Sequence, residues 1–366
     1  MIDLRPKKLD IYIMKKFILT FFMSLVLIIG IVIIFDISEK IDDFVAKNAP
    51  LKLIILDYYV NFVPYYVNMF SPLFVFITVI FFTSRMAANS EIVAILSCGV
   101  SYHRMMVPYM ASATIIAMLS LGLNLYVIPK SNEIRVKFEH EYLKNGRKND
   151  RDIDNLHYQL SPGVFVYVQD FNRWNATAHD FTLEHIVDNK LVSKTTAEKA
   201  QWDSVKQAWT LRNYFTRTYT DGLENYIEKG ASKDTVIDLT IKDFYVNKKT
   251  VQTLSQDDLI GLIRTQKMRG DASVMYSQIE LHTRFALPFS AFVLTIIGVS
   301  LSSRKKRGGI GLNIGFGIAL SFSYILFLKF SEMFVYTNTL PASIALWVPN
   351  VLFAFIAAFL YKRAPK

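Results

Sequence analysis

Ser90 and Glu91 open a stretch whose composition matches neither of the apolar runs beside it. The stretch SRMAANSEIVAILSCGVSYHR, Ser84 to Arg104, is too polar to cross a bilayer and too apolar for a charged tether. Ile92, Ile95, Leu96 and Gly99 recur at helical spacing, with Asn89, Ser90, Glu91 and Ser97 elsewhere around the helix. Two readings follow: a short coupling helix that meets another protein, or an amphipathic re-entry helix resting on lipid headgroups. A second group, Lys40, Lys130, Arg135 and Lys137, can hold an anionic headgroup by charge-assisted bonds, or snorkel as long basic side chains do. A third, Gly311 and Gly315 with Gly317 after them, makes a GxxxG seam that permits close or changeable helix contact. Arg304 to Arg307 reads as a stop-transfer and headgroup anchor, Lys329 as a snorkelling cation beside Glu332, and Glu280 with Arg284 as an i,i+4 pair.

Catalytic machinery has no carrier in the sequence. There is no GxxxxGK[ST] phosphate loop, no HExxH, and no cysteine or histidine pair at metal spacing, so no catalytic residue, metal or cofactor is expected. Cys98 is the single cysteine, which rules out an intramolecular disulfide.

The elements that must position these residues are membrane helices. In 366 residues, 52% are hydrophobic and mean hydropathy is +0.27, too apolar for an ordinary soluble globule. About 20 apolar residues cross the hydrocarbon, and six windows free of Asp, Glu, Lys and Arg meet that need. They are Phe17 to Phe35, the stretches between Asp57 and Arg85, Arg104 and Lys130, Arg284 and Arg304, and Arg307 and Lys329, and a last one trimmed to Ser343 to Tyr361. The first window is longer than a signal-peptide core and lacks a small-x-small cleavage site. It is therefore read as a retained helix that continues through IFDISEKIDDF.

Charge orients the helices. With the N-terminus inside, the cytoplasmic segments carry Arg5, Lys7, Lys8, Lys15, Lys16, Arg85, Arg104, Arg304 to Arg307, Lys362, Arg363 and Lys366, whereas the two short outer loops hold only Lys40, Lys47 and Lys52. Both termini are expected in the cytoplasm. The net charge of +10 is then a topology signal, because residues 130 to 284 hold 23 basic and 22 acidic residues, and a nucleic-acid role has no electrostatic footprint.

Residues 130 to 284 form the one large polar insertion. Val164 to Phe171, His179 to Val187, Leu191 to Asp203, Ala208 to Thr220 and Thr235 to Ile241 read as strands. Ser161-Pro162-Gly163, Asp188-Asn189-Lys190 and Asp221-Gly222 separate them as turns, which suits antiparallel hairpins in a sandwich or jelly roll. Lys130 to Lys148 extends the third helix. Ser255 to Asp258 resembles a capping box for a helix bearing Leu259, Leu262 and Ile263. The expected class is an α+β integral membrane protein: residues 1-129 with helices one to three and the helix of about 85-104, a β domain over 130-284, and helices four to six over 285-366.

Four passages together resemble the LptF/LptG family, the permease subunits of the ABC machine that exports lipopolysaccharide. They are LDIYIMKKFILTF, SRMAANSEIVAILSCGVS, AEKAQWDSVKQAWTLRN and ELHTRFALPFSAFVLTIIGVSLSSR. The resemblance covers nearly the whole chain and leans to the LptG side of the pair. It implies an inner-membrane permease of a Gram-negative bacterium with a periplasmic β-jellyroll. The implied partners are a second homologous permease, a cytoplasmic ABC ATPase dimer, a periplasmic jellyroll bridge protein and lipopolysaccharide. It makes the 85-104 segment the coupling helix, with Glu91 engaging the ATPase and Arg85 and Ser90 in support. It puts Lys40, with Arg135, Lys137 and Lys130, near the lipid headgroup, and assigns helices one and five, hence Gly311 and Gly315, to lateral gates. Other basic positions of the family in helices one and two are apolar or aromatic here. The rivals are a membrane-anchored periplasmic lipid-binding or assembly protein, and a secondary transporter, which would need ionisable residues deep in the windows.

Overall fold

The computed structural model describes residues 7–143, 153–172, 175–220, 223–245, 248–271, 273–303 and 309–364. Arg5, the basic run Arg304 to Arg307, the Asp221-Gly222 turn, residues 144–148 of the expected helical extension and the C-terminal Lys366 lie outside them. Contacts divide the chain into two compact units, Met1–Phe138 with Gln278–Lys366, and Glu139–Ser277.

Among the described residues six helices are long and apolar enough to cross a membrane: α1 (Lys8–Ala46), α2 (Leu51–Ala88), α4 (Tyr102–Tyr142), α6 (Val274–Ser302), α7 (Gly309–Tyr336, of which Gly315–Tyr336 qualifies) and α8 (Ala342–Arg363). A short helix α3 (Glu91–Ser97) joins α2 to α4. Each of the six windows found in the sequence lies on one of these helices. α2 and α6 form the buried centre of the bundle, while α1, α7 and α8 are mostly uncovered. α1 buries one ridge, Ile13, Phe17, Phe21, Leu25 and Ile29, at strict four-residue spacing, which is the ridge used when helices cross ridge-into-groove. Leu19, Met23, Val26, Ile34 and Phe35 on its other faces are exposed.

Because lipid is as apolar as leucine, small residues and hydrogen bonds hold membrane helices together. A Cβ at Gly317 would stand 2.5 Å from Ile80 Cδ1, and one at Gly298 would stand 2.8 Å from Val79 Cγ1, so α7 and α6 approach α2 through glycine. Asn68 Nδ2 donates to Asn124 Oδ1 at 2.7 Å, Ser120 Oγ donates to Asn68 Oδ1 at 2.6 Å, and Asn124 Nδ2 donates to the Arg284 carbonyl at 3.2 Å. This chain ties α2, α4 and α6. Tyr324 donates to Asn350 Oδ1 at 2.9 Å, and Asn350 Nδ2 donates to the Ala286 carbonyl at 2.8 Å, which ties α7, α8 and α6.

The second unit carries a six-stranded antiparallel sheet in sequential order: β1 (Ile153–Ser161), β2 (Val164–Asn172), β3 (Thr177–Val187), β4 (Lys190–Asp203), β5 (Ala208–Thr220) and β6 (Leu223–Thr235). The antiparallel domain expected between helices three and four is thus present, as an up-and-down meander in which every strand pairs with its chain neighbour. Its turns follow from their residues. Asp188 and Asn189 both have positive φ, the two-residue hairpin geometry that Asp and Asn tolerate. Gly163 has φ +82°, and a Cβ there would meet the Ile186 carbonyl oxygen at 2.2 Å.

Two strand expectations are corrected. Thr235 to Ile241 is not a strand: β6 ends at Thr235, and the following residues lead into a 3-10 turn at Ile241–Tyr245. Ile237, Leu239 and Ile241 pack on the core instead, with Leu239 fully buried and its carbonyl accepting from Trp209 Nε1 at 2.7 Å. β1 and β6 were not expected: ENYIEKGASKD lacks the apolar alternation of an inner strand, whereas Leu156, Tyr158 and Leu160 of β1 do alternate and pack on the core, a signal the strand reading passed over; both strands are edges of the sheet.

One crease crosses the sheet. On β2 to β5 the core residues are spaced three apart at the same level, Val168 and Phe171, Ala178 and Phe181, Ala197 and Ala200, Leu211 and Tyr214. At that level Asn155, Asp180 and Asn213, on alternate strands, are left-handed with φ of 55°, 48° and 52°. A left-handed residue turns the chain out of its pleat, and Asn and Asp adopt that conformation most readily among residues with a side chain. The core face therefore changes parity across the line.

After the sheet, Ser255 caps α5 (Gln256–Arg269) as its sequence predicts, accepting from the Asp258 amide at 3.3 Å and donating to the Asp258 carboxylate at 2.6 Å. Leu259 and Ile263 are buried and Leu262 is half-buried.

Candidate functional site

The α2–α4 connection is a corner, a short helix and a second corner. Ser90 is left-handed at φ 63° and Gly99 at φ 80°. Between them lie the seven residues of α3 and its C-terminal cap, Cys98. The expected stripe is met by Ile92, which is buried, and by Ile95 and Leu96 packed against the bundle core. Gly99 falls beyond the helix and ends it. Val93, Ala94, Ser97 and Cys98 face outward, and Arg85, on the last turn of α2, is exposed. Ser90 places Glu91 but makes no side-chain cap.

Glu91 is tied to α1. Tyr12 OH donates to Glu91 Oε2 at 2.9 Å, and Lys16 Nζ stands 3.6 Å from the same oxygen. Lys16 also donates to the Tyr12 hydroxyl and lies over its ring. Just past the second corner, Arg104 grips α1 as well. Its Nη1 and Nη2 donate to the two Asp10 carboxylate oxygens at 2.7 and 2.6 Å, and Asp10 is almost fully buried. Tyr102 OH lies 3.5 Å from Ser300 Oγ and 3.4 Å from Ser303 Oγ, and His103 Nδ1 is 3.0 Å from Tyr361 OH. The ends of α1, α6 and α8 are thus linked to the residues that follow α3. Sequence reading missed Asp10, Tyr12, Lys16 and Arg104 as partners, since nothing in a linear sequence pairs positions so far apart.

At the other end of α1 lies the second cluster. Lys40 Nζ reaches Asp36 Oδ1 at 2.5 Å and also donates to Tyr58 OH; Tyr58 and Tyr59 donate to the two Asp36 oxygens at 3.3 and 3.2 Å. A π-helical turn, Ile54–Tyr59, sets both tyrosines toward Asp36. Arg135 is buried, with its guanidinium 5.0 Å from the centre of the Tyr65 ring. Lys130 and Lys137 are exposed, and Lys137 pairs with Glu133 at 2.7 Å. The four cations therefore do not form one open cluster: an acid one turn away occupies Lys40, and a flat aromatic face takes the flat guanidinium of Arg135. The Glu280–Arg284 pair is present at 3.0 Å with Arg284 fully buried, and Lys329 meets Glu332 at 2.5 Å.

The three glycines singled out on α7 differ in surroundings. Gly311 and Gly315 face open space, with nothing near the Cβ position, and Gly317 makes the close contact within the chain. Phe316, Phe322, Phe330 and Met333 on α7 are likewise exposed. Among the described residues no group of acidic, cysteine and histidine side chains could hold a metal.

Six membrane-length helices with an antiparallel β domain inserted after the third define an α+β multi-pass membrane protein. No curated protein matches the chain. A sequence profile for "Lipopolysaccharide export system permease LptF/LptG" matches residues 11–363, so this chain belongs to the LptF/LptG family, and its role is that of a lipopolysaccharide export permease.

Proposed function

We propose that the chain is one of two homologous permeases of an ATP-driven exporter in the inner membrane of a Gram-negative bacterium, with both termini in the cytoplasm. A separate cytoplasmic ATPase dimer supplies the energy. α3 is the coupling helix: its apolar side seats in the bundle, and its outward side, with Glu91, Ser90 and the neighbouring Arg85, meets the ATPase. α1 and α7 are the lateral gates, and Gly311 and Gly315 leave α7 a surface that a partner helix can approach closely. Lys40, Lys130, Arg135 and Lys137 line the outer zone where the phosphorylated headgroup sits, with Lys130 and Lys137 the most accessible. The β domain lies in the periplasm and hands lipid to a jellyroll bridge protein.

The observation that carries this reading is α3 itself, a short helix between two left-handed corners, anchored by Ile92 and bearing Glu91 at its first position. Purification of a tagged copy from its own membranes in mild detergent tests it, with mass spectrometry of the proteins and lipids that follow. A P-loop ATPase, a second six-helix permease and lipopolysaccharide are expected, and Glu91→Lys should remove the ATPase while leaving the chain folded. Recovery of the chain alone under several detergents supports an anchored periplasmic protein instead.

A further inference from the structure

The start of α1 is held from two directions by the two sides of the connecting segment. Asp10 and Tyr12 are two residues apart, so they lie about 200° apart around the helix. Asp10 faces the bundle and is gripped in bidentate fashion by Arg104, which follows the second corner and sits on the first turn of α4. Tyr12 and Lys16 are gripped by Glu91, which follows the first corner and sits on α3. The two grips differ in kind. A bidentate guanidinium–carboxylate pair fixes both distance and orientation, and here it is mostly screened from water, with 21% of Arg104 and 8% of Asp10 exposed. The Glu91 contact is one hydrogen bond from Tyr12 and a longer ion pair with Lys16 on the same oxygen, and it is more open, with 38% of Lys16 and 30% of Glu91 exposed.

α3 is the exposed part of the connection, a short unit set off by two corners. Left-handed corners at Ser90 and Gly99 bound it, a Cβ at Gly99 would touch nothing, and Ile92 is its single fully buried anchor. Arg104 stands outside the second corner, on a long helix. A push on α3 therefore moves Glu91 relative to Arg104, and both hold the same two turns of α1. Beyond those turns α1 is held along one buried ridge and, near its far end, by the contacts of Asp36 and Lys40 with Tyr58, while its other faces are open, which leaves it room to tilt.

We propose that Asp10 and Arg104 are a positioning pair for transport: they fix the first turn of α1 to α4 as a fulcrum, so that displacement of α3, passed through Glu91 to Tyr12 and Lys16, tilts α1. This rests on the reading of α3 as the coupling helix and assigns the route by which its motion reaches a gate.

The test uses the assembled complex, reconstituted in proteoliposomes with lipopolysaccharide and ATP. The variants are Asp10→Asn, Arg104→Gln, the exchange of Asp10→Arg with Arg104→Asp, and Tyr12→Phe. Three quantities are read: ATPase retained on purification, ATP hydrolysed, and lipid released per ATP. Each single change at the pair is expected to keep the ATPase bound and hydrolysing while lipid per ATP falls about fivefold or more, and the exchange should recover most of it. Tyr12→Phe, which removes one hydroxyl from an exposed contact, should lower the same ratio without loss of assembly, and it carries the test if the pair variants do not assemble. Wild-type lipid per ATP in the assembled variants overturns the proposal, as does an assembled exchange variant no better than the singles. If the unaltered chain recruits no ATPase, the coupling reading falls first; if it does and only the ratios stay normal, the fulcrum alone falls.

Discussion

Lys40 and Asp36 stand one turn apart on α1 and meet at 2.5 Å, the lysine three-quarters covered and the aspartate almost wholly so. Both tyrosine hydroxyls of the π-helical turn point at the same carboxylate. Asp36→Asn removes the charge that holds Lys40 and should destabilise the chain by about 1–3 kcal/mol, read as a lower thermal midpoint in detergent. Adding Lys40→Met should return part of the loss, since the cation left without its partner causes most of it. An unchanged midpoint for Asp36→Asn would show that solvent already satisfies Lys40.

Gly315 and Gly317 should separate assembly from folding. Gly317→Leu forces a side chain into Ile80 and should cost about 1–3 kcal/mol of stability in the isolated chain. Gly315→Leu meets open space and should leave that midpoint alone while reducing recovery of the second permease. Equal effects on both readouts would mean that α7 is not a partner surface.

Cys98 is a built-in reporter. It is the single cysteine, exposed at the end of α3. A membrane-permeable maleimide should label it readily in membranes containing the chain alone, and several-fold more slowly once the ATPase is co-expressed. Equal labelling in both would place the ATPase elsewhere.

The edge strand β6 should loosen in acid. Lys233 first and Tyr214 next hold the Glu228 carboxyl below its ordinary 4.5, and Lys206 first with Thr210 hold Asp234 below its ordinary 3.8. A carboxyl depressed in the folded chain stabilises it above the ordinary value, and the contribution disappears as pH falls through the lower folded one. Amide hydrogen exchange, corrected for intrinsic rate, should show protection of β6 falling below about pH 4 while β3 and β4 hold theirs. Parallel behaviour of all strands would remove these contacts as the cause.

Six membrane helices were legible because hydrocarbon thickness imposes a length and a charge rule that no tertiary contact can override. The turns at Gly163 and Asp188-Asn189 were legible because their backbone demands those residues. Strand β6 was not, since an edge strand needs only hydrogen bonds from one neighbour and carries polar side chains on both faces. Thr235 to Ile241 misled for the converse reason: Ile237, Leu239 and Ile241 alternate like a strand yet serve as a plug against Trp209 and Phe244. At the candidate site, Glu91 stood out by position, and Asp36 could have been paired with Lys40 from i,i+4 spacing alone. The Asp10–Arg104 pair could not, because 94 residues separate its members. Gly317 rather than Gly315 makes the close contact because which face of α7 meets α2 is decided by packing, and all three glycines share one sequence pattern.

The crease through Asn155, Asp180 and Asn213 acts as a phase boundary in the genetic sense. On β2 the positions intolerant of polar replacement should be even-numbered up to Val168 and odd-numbered from Phe171, with the reversal at the same height on each inner strand. A single-residue deletion on one side of that boundary would invert only the half strand beyond it, and one at the boundary itself would erase the reversal. Insertions and deletions compatible with folding are thereby confined to the hairpin tips, and the domain can vary in loop length far more freely than in strand length.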